Sequence, residues 1–160
     1  MRSIFRGLSV VHTSVLILLL LYFGLVSGKS GLPFRVEVEK QRLVFSWNYN
    51  EDYIAVEIQA KINPKSWIAL GFSDYGEFTH ADFCVFWTDL WGREHLTDVF
   101  SDENGLLQVD KRQDCQFISV NQTTTQTLIR FIRKRRTCDP RDYQLEVSGL
   151  LPQQVFGFSI

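Results

Sequence analysis

Methionine and histidine are nearly missing from this chain. The one Met is Met1, and the three His are His12, His80 and His95. A centre that needs an internal thioether or several imidazoles cannot be assembled from that set. Surplus charge is missing too. Seventeen Lys and Arg against 18 Asp and Glu give a formal charge of −1, so no general basic field points to nucleic acid. No glycine-rich phosphate loop and no nucleophile elbow occurs. There is no internal repeat, low-complexity tract or interdomain linker, and 160 residues leave room for one domain. What is abundant is apolar: the chain is 45% hydrophobic and 14% aromatic, too apolar for a disordered segment.

The first segment reads as a targeting signal. Arg2 and Arg6 precede an apolar run from Val15 to Val26. That run is about a dozen residues, short of the roughly 20 that span a bilayer and suited to the core of a signal peptide. Val26-Ser27-Gly28 supplies small residues for cleavage after Gly28, which makes 1–28 the signal and 29–160 the mature domain. The rival reading is an uncleaved anchor, the one case in which a membrane would be a partner. Cleavage removes Arg2 and Arg6 and no acid, so the remainder is more acidic. The secretory route is oxidising, which opens Cys84, Cys115 and Cys138 to disulfide formation. It also makes Asn121-Gln122-Thr123 a glycosylation acceptor at Asn121.

The mature part alternates with the period of half-buried strands. Leu43, Phe45, Trp47 and Tyr49 share one face, and Ile54, Val56, Ile58 and Ala60 repeat the pattern after a turn at 48–52. Further strands are expected at 67–72, 83–87, 94–100, 117–120, 127–132, 143–147 and 155–158. Turns are expected at 73–76, 90–93, 102–105 and 121–126. No stretch carries a helical period, so the fold class is all-β, an immunoglobulin-like antiparallel sandwich of about ten short strands. The chain stops at Ile160 inside an apolar segment, which reads as the front of a longer protein or a truncated product.

Several ordered motifs resemble one family. Trp67-Ile68-Ala69-Leu70-Gly71-Phe72-Ser73-Asp74, Gly76-Glu77, Ala81-Asp82 and Trp87-Thr88-Asp89 resemble the DOMON domain. Thr97-Asp98, Ser101-Asp102, Asp110, Gln113-Asp114 and Thr137-Cys138-Asp139-Pro140-Arg141-Asp142-Tyr143 are similar to its N-terminal form in the dopamine and tyramine β-hydroxylase family. The match runs from about Leu32 to Ile160. The resemblance implies a secreted or vesicular copper-dependent, ascorbate-using monooxygenase that hydroxylates the benzylic carbon of a phenylethylamine. The copper ligands of that family lie in later domains. With only His80 and His95 after the signal, this chain is expected to be the non-catalytic accessory module, with the catalytic copper domains as its partners. A free-standing secreted binding module is the alternative.

The resemblance also implies a cation held by Asp82 and Asp114, with the backbone carbonyls of Phe83 and Val99 beside them. Hard oxygen donors of this kind suit Ca²⁺; the bland alternative is that both aspartates hold turn backbone. If the two share an ion, Cys84 and Cys115 come close enough to pair, against the alternative of buried free thiols. Cys138 matches a family cysteine whose partner lies outside this chain. Haem, used by some DOMON domains, would have only His80 and His95 as ligands. Asp74, Glu77, Asp89 and Asp98 carry no spacing that demands acid–base catalysis, and most sit at turns, where Asp is favoured. Arg133-Lys134-Arg135-Arg136 resembles a dibasic processing site or a polyanion contact, and reads more simply as a solvated strand end. Trp47, Trp67 and Trp87 are expected in the core, leaving Trp91 as the exposed tryptophan.

Overall fold

Alternating apolar side chains give strands one buried face, and two such faces bury each other. In the computed structural model they do so as two five-stranded antiparallel sheets. The structure describes residues 32–145, apart from Gln41, Pro64 and Tyr75, and the backbone of 155–159. The expected signal, 1–28, lies outside the described residues, and no helix occurs among those described. One sheet has the order β1 (Phe34–Glu39), β2 (Leu43–Tyr49), β3 (Tyr53–Ala60), β9 (Thr127–Lys134) and β8 (Cys115–Gln122). The other has the order β10 (Val155–Ser159), β4 (Ile68–Phe72), β5 (Asp82–Thr88), β6 (Glu94–Ser101) and β7 (Leu107–Val109).

The core lies between the sheets. Phe45, Val56, Ile58, Ile129 and Phe131 from the first meet Ile68, Leu70, Phe72 and Phe86 from the second. Cys84 of β5 and Cys115 of β8 form a disulfide across this interface, with their Cα atoms 5.8 Å apart. A smaller cluster, Ala69, Phe83 and Val99, is buried on the far face of β4, β5 and β6. Phe78, from the loop before β5, packs its ring 5.1 Å from that of Phe83.

The expected strands other than 143–147 are present with shifted ends, and β1 and β7 add to them. Residues 143–145 form no strand; 146 and 147 lie outside the described residues. There the backbone is held by arginines instead. Arg133 donates to the Tyr143 carbonyl at 2.9 Å and Arg135 to that of Leu145 at 3.0 Å.

Candidate functional site

The site lies at one end of the sandwich, where β5 begins and β6 and β9 end. In the β5–β6 register Asp82 faces Phe100 and Cys84 faces Asp98. Asp82 and Asp98 are therefore diagonal neighbours on one face, the face that carries Cys84 and Phe86 into the core. Both are buried. Across the sandwich, Arg133 stands opposite Cys115 in the β8–β9 ladder. Its guanidinium is fully buried and donates to Asp82 Oδ2. The same Asp82 oxygen accepts from the Tyr143 amide at 3.1 Å, and the guanidinium lies 5.0 Å over the Phe72 ring.

The basic run is thus not a solvated strand end. Arg133 is buried because its position in β9 faces inward onto a carboxylate, and Arg135, just past the strand, is buried because interior carbonyls receive it. Lys134 is half-buried, and only Arg136 of the four is exposed.

The segment after β9 brings in more carboxylates. The oxygens of Asp82, Asp98 and Asp142 lie within 4.8 Å of one another, and so do those of Asp110, Asp139 and Asp142. All five residues are buried. Burial, and then the neighbouring Asp82 charge, push the Asp98 carboxyl up to about 8. Burial pushes Asp142 to about 6. Burial also raises Asp82, against the opposing pull of Arg133. Asp82 Oδ1, Asp98 Oδ1, Asp110 Oδ2, Asp114 Oδ2 and Asp142 Oδ2 are buried with no hydrogen-bond partner. Hard, anionic oxygens left over in this way fit a divalent cation such as Ca²⁺.

Asp114, expected to share an ion with Asp82, sits beside this cluster, and neither group of three among the described residues includes it. Its amide donates to Asp98 Oδ2 at 2.9 Å, and its carboxylate lies 3.8 Å from Arg112 Nε and 3.9 Å from Lys134 Nζ. Phe83 and Val99 are register partners in β5 and β6. Asp98 lies on the strand expected at 94–100 and is buried there. The Asp98 and Asp142 contributions were not visible in spacing. Asp98 is diagonal to Asp82 only once β5 and β6 pair, and Asp142 arrives from 60 residues away in sequence.

The other candidates disperse. His80 is exposed in the turn before β5, where its amide approaches the Asp102 carbonyl at 3.5 Å. His95 lies opposite Trp87 in the ladder and stacks on it at 4.3 Å. Seven strand positions, roughly 20 Å at the usual rise, separate His95 from Asp102, so the two imidazoles do not converge on one iron.

Trp87 is not core. It is 39% exposed, because the hairpin tip at 89–93 leaves its face open. Trp91 is exposed as expected, with Arg93 4.9 Å over its ring. Although its surroundings work against ionisation, hydrogen bonds from Arg93, His95 and the Trp91 amide hold Asp89 well below the usual carboxylate range. Asn121 is exposed near the end of the edge strand β8. Cys138 is a free, exposed thiol on a left-handed backbone, φ 59°.

A family model described as the DOMON domain matches residues 39–149. Dopamine beta-hydroxylase of Rattus norvegicus is 29% identical over 150 residues, 90% of this chain and 24% of that protein. Dopamine beta-hydroxylase of Homo sapiens is 32% identical over 140 residues, 84% of this chain and 22% of that protein. The chain thus spans about a quarter of the length of these relatives. The solved cytochrome domain of Myriococcum thermophilum cellobiose dehydrogenase aligns with 63% of this chain and 53% of its own at a TM-score of 0.48 and 11% identity. That likeness is too distant to carry an argument.

Proposed function

This chain belongs to the DOMON domain family, and from that premise we propose that it is the non-catalytic DOMON module of a secreted or vesicular, dopamine β-hydroxylase-like copper monooxygenase. One observation carries the reading. The relatives named dopamine beta-hydroxylase match nearly all of this chain with only about a quarter of their own length. After residue 28 the chain has two imidazoles, His80 and His95, at opposite ends of β6. Copper and ascorbate chemistry on a phenylethylamine then belongs to the remaining part of such an enzyme, against which this module packs. Cys138, exposed and unpaired among the described residues, supports a bridge to that part. The secretory pathway fits the apolar start and the exposed Asn121 sequon.

Within the module, Asp82 and Asp114 with the carbonyls of Phe83 and Val99 would hold a Ca²⁺-type ion. Asp82 Oδ1 and Asp114 Oδ2, buried and without hydrogen-bond partners, support this. When bound, the ion would supply positive charge to a carboxylate cluster and fix the strand ends that carry it; it performs no redox step.

The test is the intact mass of the native secreted protein after deglycosylation, together with an amine hydroxylation assay with copper and ascorbate. The expected result is a product much larger than residues 29–160 that hydroxylates, while the 160-residue chain expressed alone does not. A native product with the mass of 29–160 would overturn the reading in favour of a free-standing binding module. Hydroxylation by the chain alone would overturn its non-catalytic role.

A further inference from the structure

We propose that Asp110, Asp139 and Asp142 form a second divalent-cation position, distinct from the one assigned to Asp82 and Asp114, and that its ion is Ca²⁺. Asp110 directly follows β7, and Asp139 and Asp142 lie in the segment after β9. One oxygen from each falls within 4.8 Å of the other two. Oxygens that close can share one ion, and an all-oxygen, carboxylate-rich set suits Ca²⁺.

The ordinary neutralising contacts are few here. Asp82 has the Arg133 guanidinium and the Tyr143 amide. No buried arginine is hydrogen-bonded to the Asp110 group among the contacts described; the Thr137 side chain bonds Asp142, and the Arg133 charge acts on it from a distance. Arg141 Nε approaches Asp139 only to 3.8 Å, from a side chain that is 45% exposed. One oxygen of Asp110 accepts the Arg112 amide at 3.1 Å, and one of Asp139 accepts the Arg141 amide at 3.0 Å. These contacts aim the carboxylates without cancelling their charge.

The second, independent observation is the leftover oxygens. Asp110 Oδ2 and Asp142 Oδ2 have no hydrogen-bond partner, in residues that are 4% and 7% exposed. A buried oxygen in that state calls for a water, a proton or a cation, and two of them beside three carboxylates favour the cation.

Asp142 also belongs to the group with Asp82 and Asp98, so a variant at Asp142 would disturb the surroundings of Asp82 as well and cannot separate the two positions. Asp110 belongs to one. The experiment is equilibrium binding of Ca²⁺ alone to the full chain, stripped with chelator and titrated to millimolar, the range in which extracellular modules bind it. Stoichiometry is read for the wild type and for Asp110→Asn, with Asp139→Asn as the companion should the first fail to fold. The expected result is two ions in the wild type and one in the variant.

One ion in the wild type that persists in either variant overturns this position and leaves the Asp82 and Asp114 reading standing. One ion that either variant abolishes upholds this position and removes the other. No ion at any concentration overturns both, and the wild-type count alone decides that outcome without a variant.

Discussion

The bond between Cys84 and Cys115 joins β5 of one sheet to β8 of the other, across 31 positions of sequence. Cutting it frees the unfolded chain and leaves the folded contacts nearly intact. For a loop of this length the lost constraint is worth about 3.7 kcal/mol. The unit that contains it runs from Leu32 to Ile160. At about 2.1 cal/mol/K of unfolding entropy per residue, a loss of that size lowers Tm by about 14 °C. The assay is thermal unfolding by circular dichroism of the wild type, the reduced wild type, and Cys84→Ala/Cys115→Ala. The reduced protein and the double variant should both fall by this amount, the variant further, because both cysteines are buried and alanine leaves a small void. A reduced wild type within about 3 °C of the oxidised protein would refute the reasoning, since a cross-link that leaves Tm unmoved is not restraining the unfolded chain.

Arg133→Met should cost about 3–5 kcal/mol in a urea titration, because it strands the Asp82 carboxylate in the interior. Arg133→Lys should recover little of that loss, since one ammonium cannot reach Asp82, Tyr143 and Lys134 as the guanidinium fork does. In chelator, stability should fall as pH rises. The Asp98 carboxyl titrates near 8 in the folded chain against 3.8 as its ordinary value. Its contribution is therefore full below about 4 and lost on the way to 8, at up to about 1.4 kcal/mol per pH unit. Asp98→Asn should flatten that slope in thermal melts from pH 5 to 8. Trp91→Ala should leave stability within about 0.5 kcal/mol, since the side chain is 78% exposed. Asn121→Gln should remove one glycan's worth of mass from the secreted chain on a gel.

The sandwich was legible because its central strands obey a two-residue period and their turns are spelled out in Asp, Asn and Gly. The edges were not. β1 alternates Phe34, Val36 and Val38 with Arg35, Glu37 and Glu39, a period that could have been read. β7 is three exposed residues, too short for any period to show. At the site, sequence reading reached Asp82 and Asp114 through family resemblance, and the Cys84–Cys115 bond followed from supposing them close. It missed Asp98 and Asp142, whose roles depend on which strands pair and on where the segment after β9 folds back. It also placed Arg133 and Arg135 in solvent. Four consecutive basic residues look like a surface patch, but strand alternation turns Arg133 inward and the chain just past β9 turns Arg135 onto buried carbonyls.

The pairing of β3 with β9 sets a schedule for the chain as it is made. Ala60 ends β3 and Lys134 ends β9, so at about 5–20 residues per second β3 waits roughly 4–15 s for its neighbour. During that wait a completed β1–β2–β3 meander presents Ile54, Val56 and Ile58 along an open edge, the kind of template on which nascent chains stick to one another. Glu57 sits in the middle of that edge, and its ladder partner is Arg130, whose Nε reaches it at 2.7 Å. Until β9 is released, the carboxylate lacks that counter-charge and repels a second copy of the same strand. When β9 arrives it brings Arg130, which makes the charge welcome, so a residue that looks like an ordinary ion pair in the finished fold acts earlier as a lock that the correct strand opens.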